Sequence, residues 1–404
     1  MAPHYPIAAL GRLPLQDDGA AAGAPRSHAP LAAPRRLGDF DFRHNGIGFL
    51  RFFFASLVVW SHAFTLGGFG VDPLFALTKG AEDGGSVAVD CFFVLSGFLI
   101  ARSFERTAHL GRYLWHRALR IFPGFWACLV VVAFGVAPIL YAHERASLAG
   151  FLSPPNSPWT YLGSNAMLVM NQYNIAGLLA NAPVPLLFNH SLWTLQYEFL
   201  CYLMVGALGT LVLATRRPAI FLVPLVVCFA LFAAASWHLG LEPVRTPVRA
   251  FELYTFFAVG ICAYAFRDRV PLRGSFALLS VLLIACTITT RAYVVVLPFA
   301  LSYLTLYVAM VLPVRDFDRR CDLSYGIYIY AFPISQLLTA LGAARVGFVG
   351  YFSAAYLISL WFAAASWFGI EKRFLALKNA ALTSKLWDRV RVPLREGSSR
   401  AVLP

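Results

Sequence analysis

Residues 50–66 read LRFFFASLVVWSHAFTL. The run is apolar enough to cross a membrane, yet Arg51 stands near its start and His62 near its end. Eleven residues at 3.6 per turn close to within roughly 20° of three whole turns, so both polar groups share one helix face, about 16 Å apart along the axis. Ionisable side chains inside a bilayer are costly and by default face a bundle interior or a wet cavity. Taken singly, each has an ordinary reading: Arg51 snorkels to the headgroups and His62 is satisfied by a neighbouring helix. On one face together they point to an internal polar track.

The rest of the chain has the same character. Of 404 residues, 59% are hydrophobic and 13% charged, and mean hydropathy is +0.66. Apolar runs recur almost throughout, which predicts an all-α, polytopic membrane protein. The net charge of +13 is spread in short basic clusters between apolar runs, a placement that suits anionic lipid and topology control rather than nucleic acid. The seven cysteines show no CxxC spacing, so neither a disulfide frame nor a metal site is expected.

Ten spans are predicted, at about 49–66, 86–101, 121–141, 192–214, 219–239, 251–266, 275–290, 292–312, 323–341 and 346–370. With both termini in the cytoplasm, 26 Lys and Arg fall on the inner side, against six outside. The expected organisation is a disordered tail over 1–40, a membrane domain over 41–375 and a basic tail over 376–404.

Three acid–base residues approach a common outer layer by depth. Asp90 lies in the second span with no Lys or Arg within a turn, so it needs a partner from another helix or must stay protonated, and His62 is a candidate partner. Glu198 lies one to two turns into the fourth span, on a face shared with Leu195 and Tyr202. One His and two acids suffice for general acid–base work, though packing between helices uses such groups too. Below the second span Arg112, His116, Arg117 and Arg120 form one basic helix face, suited to lipid headgroups or to a phosphate-bearing ligand. Phosphate loops, HExxH, GxSxG and GxGxxG are absent, which argues against ATP-driven transport, a zinc protease and an embedded serine hydrolase.

Four segments resemble the acyltransferase 3 family of integral membrane O-acyltransferases. They are Asn45 to Arg51 with Ser61-His62; Val89-Asp90-Cys91-Phe92-Phe93-Val94-Leu95-Ser96-Gly97-Phe98; Arg117-Ala118-Leu119-Arg120-Ile121-Phe122-Pro123; and Leu192-Trp193-Thr194-Leu195-Gln196-Tyr197-Glu198 through Tyr202. The chain departs at Asn45, where many members have Asp, and at Phe199, where many have a second Glu. The resemblance implies transfer of an acyl group, acetyl expected, from cytosolic acyl-CoA to a hydroxyl of an extracytoplasmic or exported glycan at a bacterial inner membrane. His62 would be the base or a transient acyl carrier, oriented by Glu198 or Asp90. Arg51, Arg117 and Arg120 would hold the donor, while Trp193 and Tyr202 would meet the acceptor. Acyl-CoA is then a co-substrate, with no resident cofactor or metal. A glycan or lipid-linked-sugar transporter would also need intramembrane acids and a His, but no repeat relates the two halves. A scaffold subunit would leave those polar residues replaceable.

Overall fold

The computed structural model describes residues 36–42, 44–153, 155–239, 246–290, 292–315 and 317–379. Most of the two expected tails lies outside these residues. At the described margins, Arg36–Phe40 docks on the turn after the sixth span, with Leu37 N–H donating to the Val270 carbonyl (2.9 Å) and Leu37 buried.

Among the described residues, ten helices lie over the ten predicted stretches. They are α1 (Ile47–Leu66), α2 (Gly84–Thr107), α3 (Leu110–Arg145), α4 (Trp193–Thr215), α5 (Leu222–Leu239), α6 (Thr246–Ala265), α7 (Gly274–Thr287), α8 (Tyr293–Val311), α9 (Ser324–Ala340) and α10 (Gly347–Ser366). No strand is formed among the described residues; helices meet the bilayer's demand that backbone groups be satisfied internally. Eight helical stretches are long and apolar enough to cross a bilayer. The other two predicted spans, α7 and α9, form helices of 14 and 17 residues.

Helix α2 is the centre, packed on α1, α4, α6 and α8. Its closest crossing is with α6, where a Cβ on Gly97 would strike the Phe257 backbone and one on Gly260 the Val94 backbone. Small residues on both sides let two backbones meet, the usual device for helix association in lipid. Helix α3 is longer than its predicted span because the basic face over 110–120 continues into it without a break. One wide turn at Val132–Val136 interrupts it.

Helix α9 shows how a long connection is tied down. Pro333 has no N–H to donate, which would orphan the Ile329 carbonyl four residues back. Asn189 Nδ2 donates to that oxygen at 2.8 Å, and Gln336 Nε2 donates to the carbonyls of Val184 and Leu187, 2.8 Å each. The 142–190 segment is thereby fastened over the end of α9. Its asparagines serve the loop itself, as Asn165 Oδ1 accepts from Asn171 N–H and Gln172 N–H at 2.9 and 3.0 Å.

Candidate active site

Two cavities open in the bundle and meet at Val89, Thr194 and Tyr328, which line both. At this waist Tyr328 and Thr194 hydroxyls are 2.6 Å apart, and Tyr328 also donates to the Ser191 carbonyl at 3.1 Å.

The larger cavity, about 980 Å³, lies at the His62 end of α1. It is lined by His62, by Asp83 and Ser86 at the start of α2, and by a run of rings. Tyr173 and His190 stand 5.7 Å apart, His190 and Trp193 6.2 Å, and Trp193 and Tyr197 5.3 Å between centroids. An aromatic wall with a few convergent polar groups is the ordinary make-up of a site for a small organic ligand. His62 lies edge-on to Phe332 (5.4 Å), and its Nδ1 is enclosed without a hydrogen-bond partner among the described residues. Asp83 and Asp72 are the carboxylates close enough to act on it electrostatically. Asp83 also caps α2, accepting from Ser86 N–H at 2.6 Å. Burial holds the His190 imidazole below its ordinary value, so it faces the cavity uncharged.

The smaller cavity, about 320 Å³, lies at the Arg51 end. Arg51, Arg117, Arg120 and Lys378 line it together with Glu198, Tyr202 and Asp322. Asp322 takes both Arg51 (2.7 Å) and Arg120 on one carboxylate oxygen, while Ser324 N–H and hydroxyl bond the other. Burial alone would raise the Asp322 carboxyl, but the Arg120 and Arg51 guanidiniums hold it well below the usual carboxylate range. Arg117 donates to Ser103 Oγ at 3.4 Å, and its Nε is enclosed without a partner among the described residues.

The three residues expected to form one outer layer, His62, Asp90 and Glu198, are thus divided: His62 lines the large cavity with Trp193, and Glu198 lines the small one with Tyr202 and the expected donor residues Arg51, Arg117 and Arg120. Glu198 accepts from Tyr202 and from Ser96 (3.3 Å), not from the imidazole. Tyr202, expected against the acceptor, therefore stands with the arginines. Asp90 lines neither cavity. It is fully buried, and its partner is Arg249 of α6 (3.0 Å) in place of the expected His62.

Arg249 also binds Glu252 at 2.6 Å and approaches Glu82 at 3.9 Å. Carboxylate oxygens of Glu82, Asp90 and Glu252 lie within 4.8 Å of one another, close enough for a cation, but the Arg249 guanidinium is already among them. Burial, with Glu252 beside it, raises the Glu82 carboxyl well above its ordinary value. Sequence reasoning missed Asp322, Lys378, Arg249 and His190. A signal for Arg249 was available, since Arg249 and Glu252 are charges three apart at the mouth of an apolar run.

The acyltransferase 3 family model, described as an acyltransferase domain, matches residues 44–368. The chain belongs to the acyltransferase 3 family. It is an acyltransferase enzyme of multi-pass membrane type, and O-acyl transfer is its activity class. Similar proteins include the O-acetyl transferase of Shigella phage Sf6, 28% identical over 81% of this chain and 95% of that protein. Nodulation protein 10 of Rhizobium leguminosarum bv. viciae is 26% identical over 85% of this chain and 96% of its own length. Peptidoglycan O-acetyltransferase OatA of Listeria monocytogenes is 26% identical, over 63% of this chain and 46% of that protein. No solved structure matches the chain.

The family departures have local accounts. Asn45 stands one residue before the Gly46 N-cap of α1, and its Oδ1 accepts from Ile47 N–H at 3.0 Å, a bond that an Asp carboxylate would make equally. Phe199 packs edge-on against Phe122 (5.4 Å), an apolar site that a second Glu would leave without a partner.

Proposed function

We propose that the enzyme takes an acyl group, acetyl in the simplest case, from acyl-CoA in the arginine-lined cavity and transfers it to a glycan hydroxyl in the aromatic-lined cavity. The carrying observation is that two cavities of opposite chemistry meet at one waist, Val89–Thr194–Tyr328. Guanidinium forks suit the phosphates of the donor's nucleotide. The slender pantetheine arm would thread the waist and bring the thioester carbonyl toward His62. The acceptor hydroxyl attacks that carbon as His62 takes its proton; the C–S bond breaks, and the departing thiolate is protonated to free CoA. Glu198, with Ser96 and Tyr202, lines the path of the arm on the donor side.

Arginine clustering supports an orientation in which the donor cavity faces the cytoplasm of a bacterium and the aromatic cavity faces outward across the inner membrane. Cysteines placed in the 142–190 segment then react with an impermeant thiol reagent applied outside, and cysteines in 103–116 do not. The direct test of the activity is mass spectrometry of envelope and secreted glycans with and without the gene. The expected result is loss of an acyl mass from one glycan; an unchanged glycan profile together with no acyl-CoA turnover by the purified protein would sink the reading.

A further inference from the structure

We propose that Lys378, carried on the segment after α10, is a fourth cation of the donor cavity and binds donor phosphate beside Arg117. The proposal rests on reading that cavity as the acyl-CoA site.

The segment reaches the cavity by a definite route. Helix α10 continues through one wide turn at Trp367–Glu371 into the short helix Lys372–Ala376, and this stretch with the turn Leu377–Asn379 packs along α3. Gly124 on α3 makes room, since a Cβ there would crowd the Tyr325 ring at 2.7 Å and the Glu371 side chain at 3.3 Å. His116 Nε2 of α3 donates to the Lys378 carbonyl at 3.3 Å and fixes the end of the turn. The Lys378 side chain then lines the cavity with Arg51, Arg117 and Arg120.

The charges in that cavity do not balance. Two carboxylates line it. Asp322 is engaged by Arg51 and Arg120, and Glu198 by Tyr202 and Ser96. Among the described residues neither Arg117 nor Lys378 is paired with a carboxylate. Two cations facing one enclosed space without a counter-charge mark a place for an anion. Burial and then the Arg117 and Arg120 charges lower the Lys378 amine to about 8. Around it stand His116, Arg117 and Arg120 of α3, Arg51 of α1, Asp322, and Glu198 and Tyr202 of α4.

The test is titration of the purified full chain in detergent with CoA, and separately with pantetheine, which lacks the nucleotide and its phosphates. Lys378→Met should weaken CoA binding roughly tenfold, the scale of one charge-assisted contact, and leave the weak pantetheine binding as it was. Lys378→Arg should restore most of the CoA affinity. Wild-type affinity should fall as pH rises through about 8, because the amine loses the proton that attracts phosphate, whereas Lys378→Arg should stay flat. The phosphates themselves are fully ionised over that range and add no slope. If Lys378→Met binds CoA like wild type while Arg117→Gln loses it, the assignment of Lys378 is wrong and the donor cavity stands. If none of these variants changes CoA binding, the donor-site reading fails with it.

Discussion

Two arginine clusters flank the two cavities, and they are built in opposite ways. Arg249 is surrounded by acid: Asp90, Glu252 and Glu82 outnumber it, and its Nη2 also donates to the Ser86 carbonyl at 2.8 Å. Arg51 and Arg120 share the single carboxylate of Asp322, and Arg117 beside them has no acid partner among the described residues. A saturated cation has nothing left to offer a ligand and serves the fold, here by tying α6 to α2. An unsaturated group of cations in a cavity costs stability unless an anion arrives. The difference separates scaffold from binding site by counting partners, which neither the residue type nor its depth in the membrane can do.

The contrast is most exposed at Arg249. Arg249→Met leaves three buried carboxylates facing one another with no counter-charge. Breaking a buried ion pair by removing one partner costs about 3–5 kcal/mol, so folded protein should fall severely, read as yield and thermal midpoint in detergent. Asp90→Asn should cost far less, because Arg249 keeps Glu252 and one negative charge leaves an acid-rich cluster. Equal loss in the two variants would mean that Asp90 and Arg249 act as an obligatory pair and that the acid excess is not real.

At the large cavity the next effect is catalytic. His62→Gln keeps polarity and approximate size but cannot take a proton near neutral pH, so transfer should drop by roughly two orders of magnitude with folding intact. A packing role predicts that Gln restores most activity. Near-wild-type transfer by well-folded His62→Gln protein would remove His62 as the base. At the small cavity, changing Arg117 and Arg120 together to Gln should weaken CoA binding tenfold or more, on about 1.5–3 kcal/mol per charge-assisted contact. Unchanged affinity with altered membrane insertion would return this face to lipid contact.

Much of the fold is legible in the chain because span length, basic flanks and the helical period are local properties. The shared face of Arg51 and His62 needs only 3.6 residues per turn, and in the structure that face indeed meets one cavity at each end. Pairings were not legible, because they are set by which helices touch. Asp90 and Arg249 are 159 residues apart, and Arg51 and Asp322 271. Matching Asp90 with His62 by depth ignored that the two side chains can leave their helices on different faces. Asp322 falls one residue before the predicted span 323–341 and so read as loop. Lys378 lies past the last apolar run, where nothing local signals that the continuing helix packs along α3.

The mildest of these effects probes the contrast most directly. Asp322→Asn keeps the shape and one acceptor oxygen but leaves Arg51 and Arg120 facing each other with no negative charge between them. The wild-type carboxyl titrates well below its unfolded value of about 3.9, so its stabilising contribution is fully present above that pH and is lost as pH falls through the folded value. The gap in stability between wild type and variant should therefore be constant from about pH 5 to 8, at roughly 1–3 kcal/mol, and close in stronger acid, as thermal midpoints would show. Saturating CoA should then raise the variant's midpoint more than the wild type's, because donor phosphates supply the negative charge that the neutral amide lacks. It should not rescue Arg249→Met, whose deficit lies in the other cluster. Equal CoA shifts in wild type and Asp322→Asn would show that Asp322 does not balance the cations that meet phosphate, and the contrast between a saturated and an unsaturated arginine cluster would lose its functional meaning.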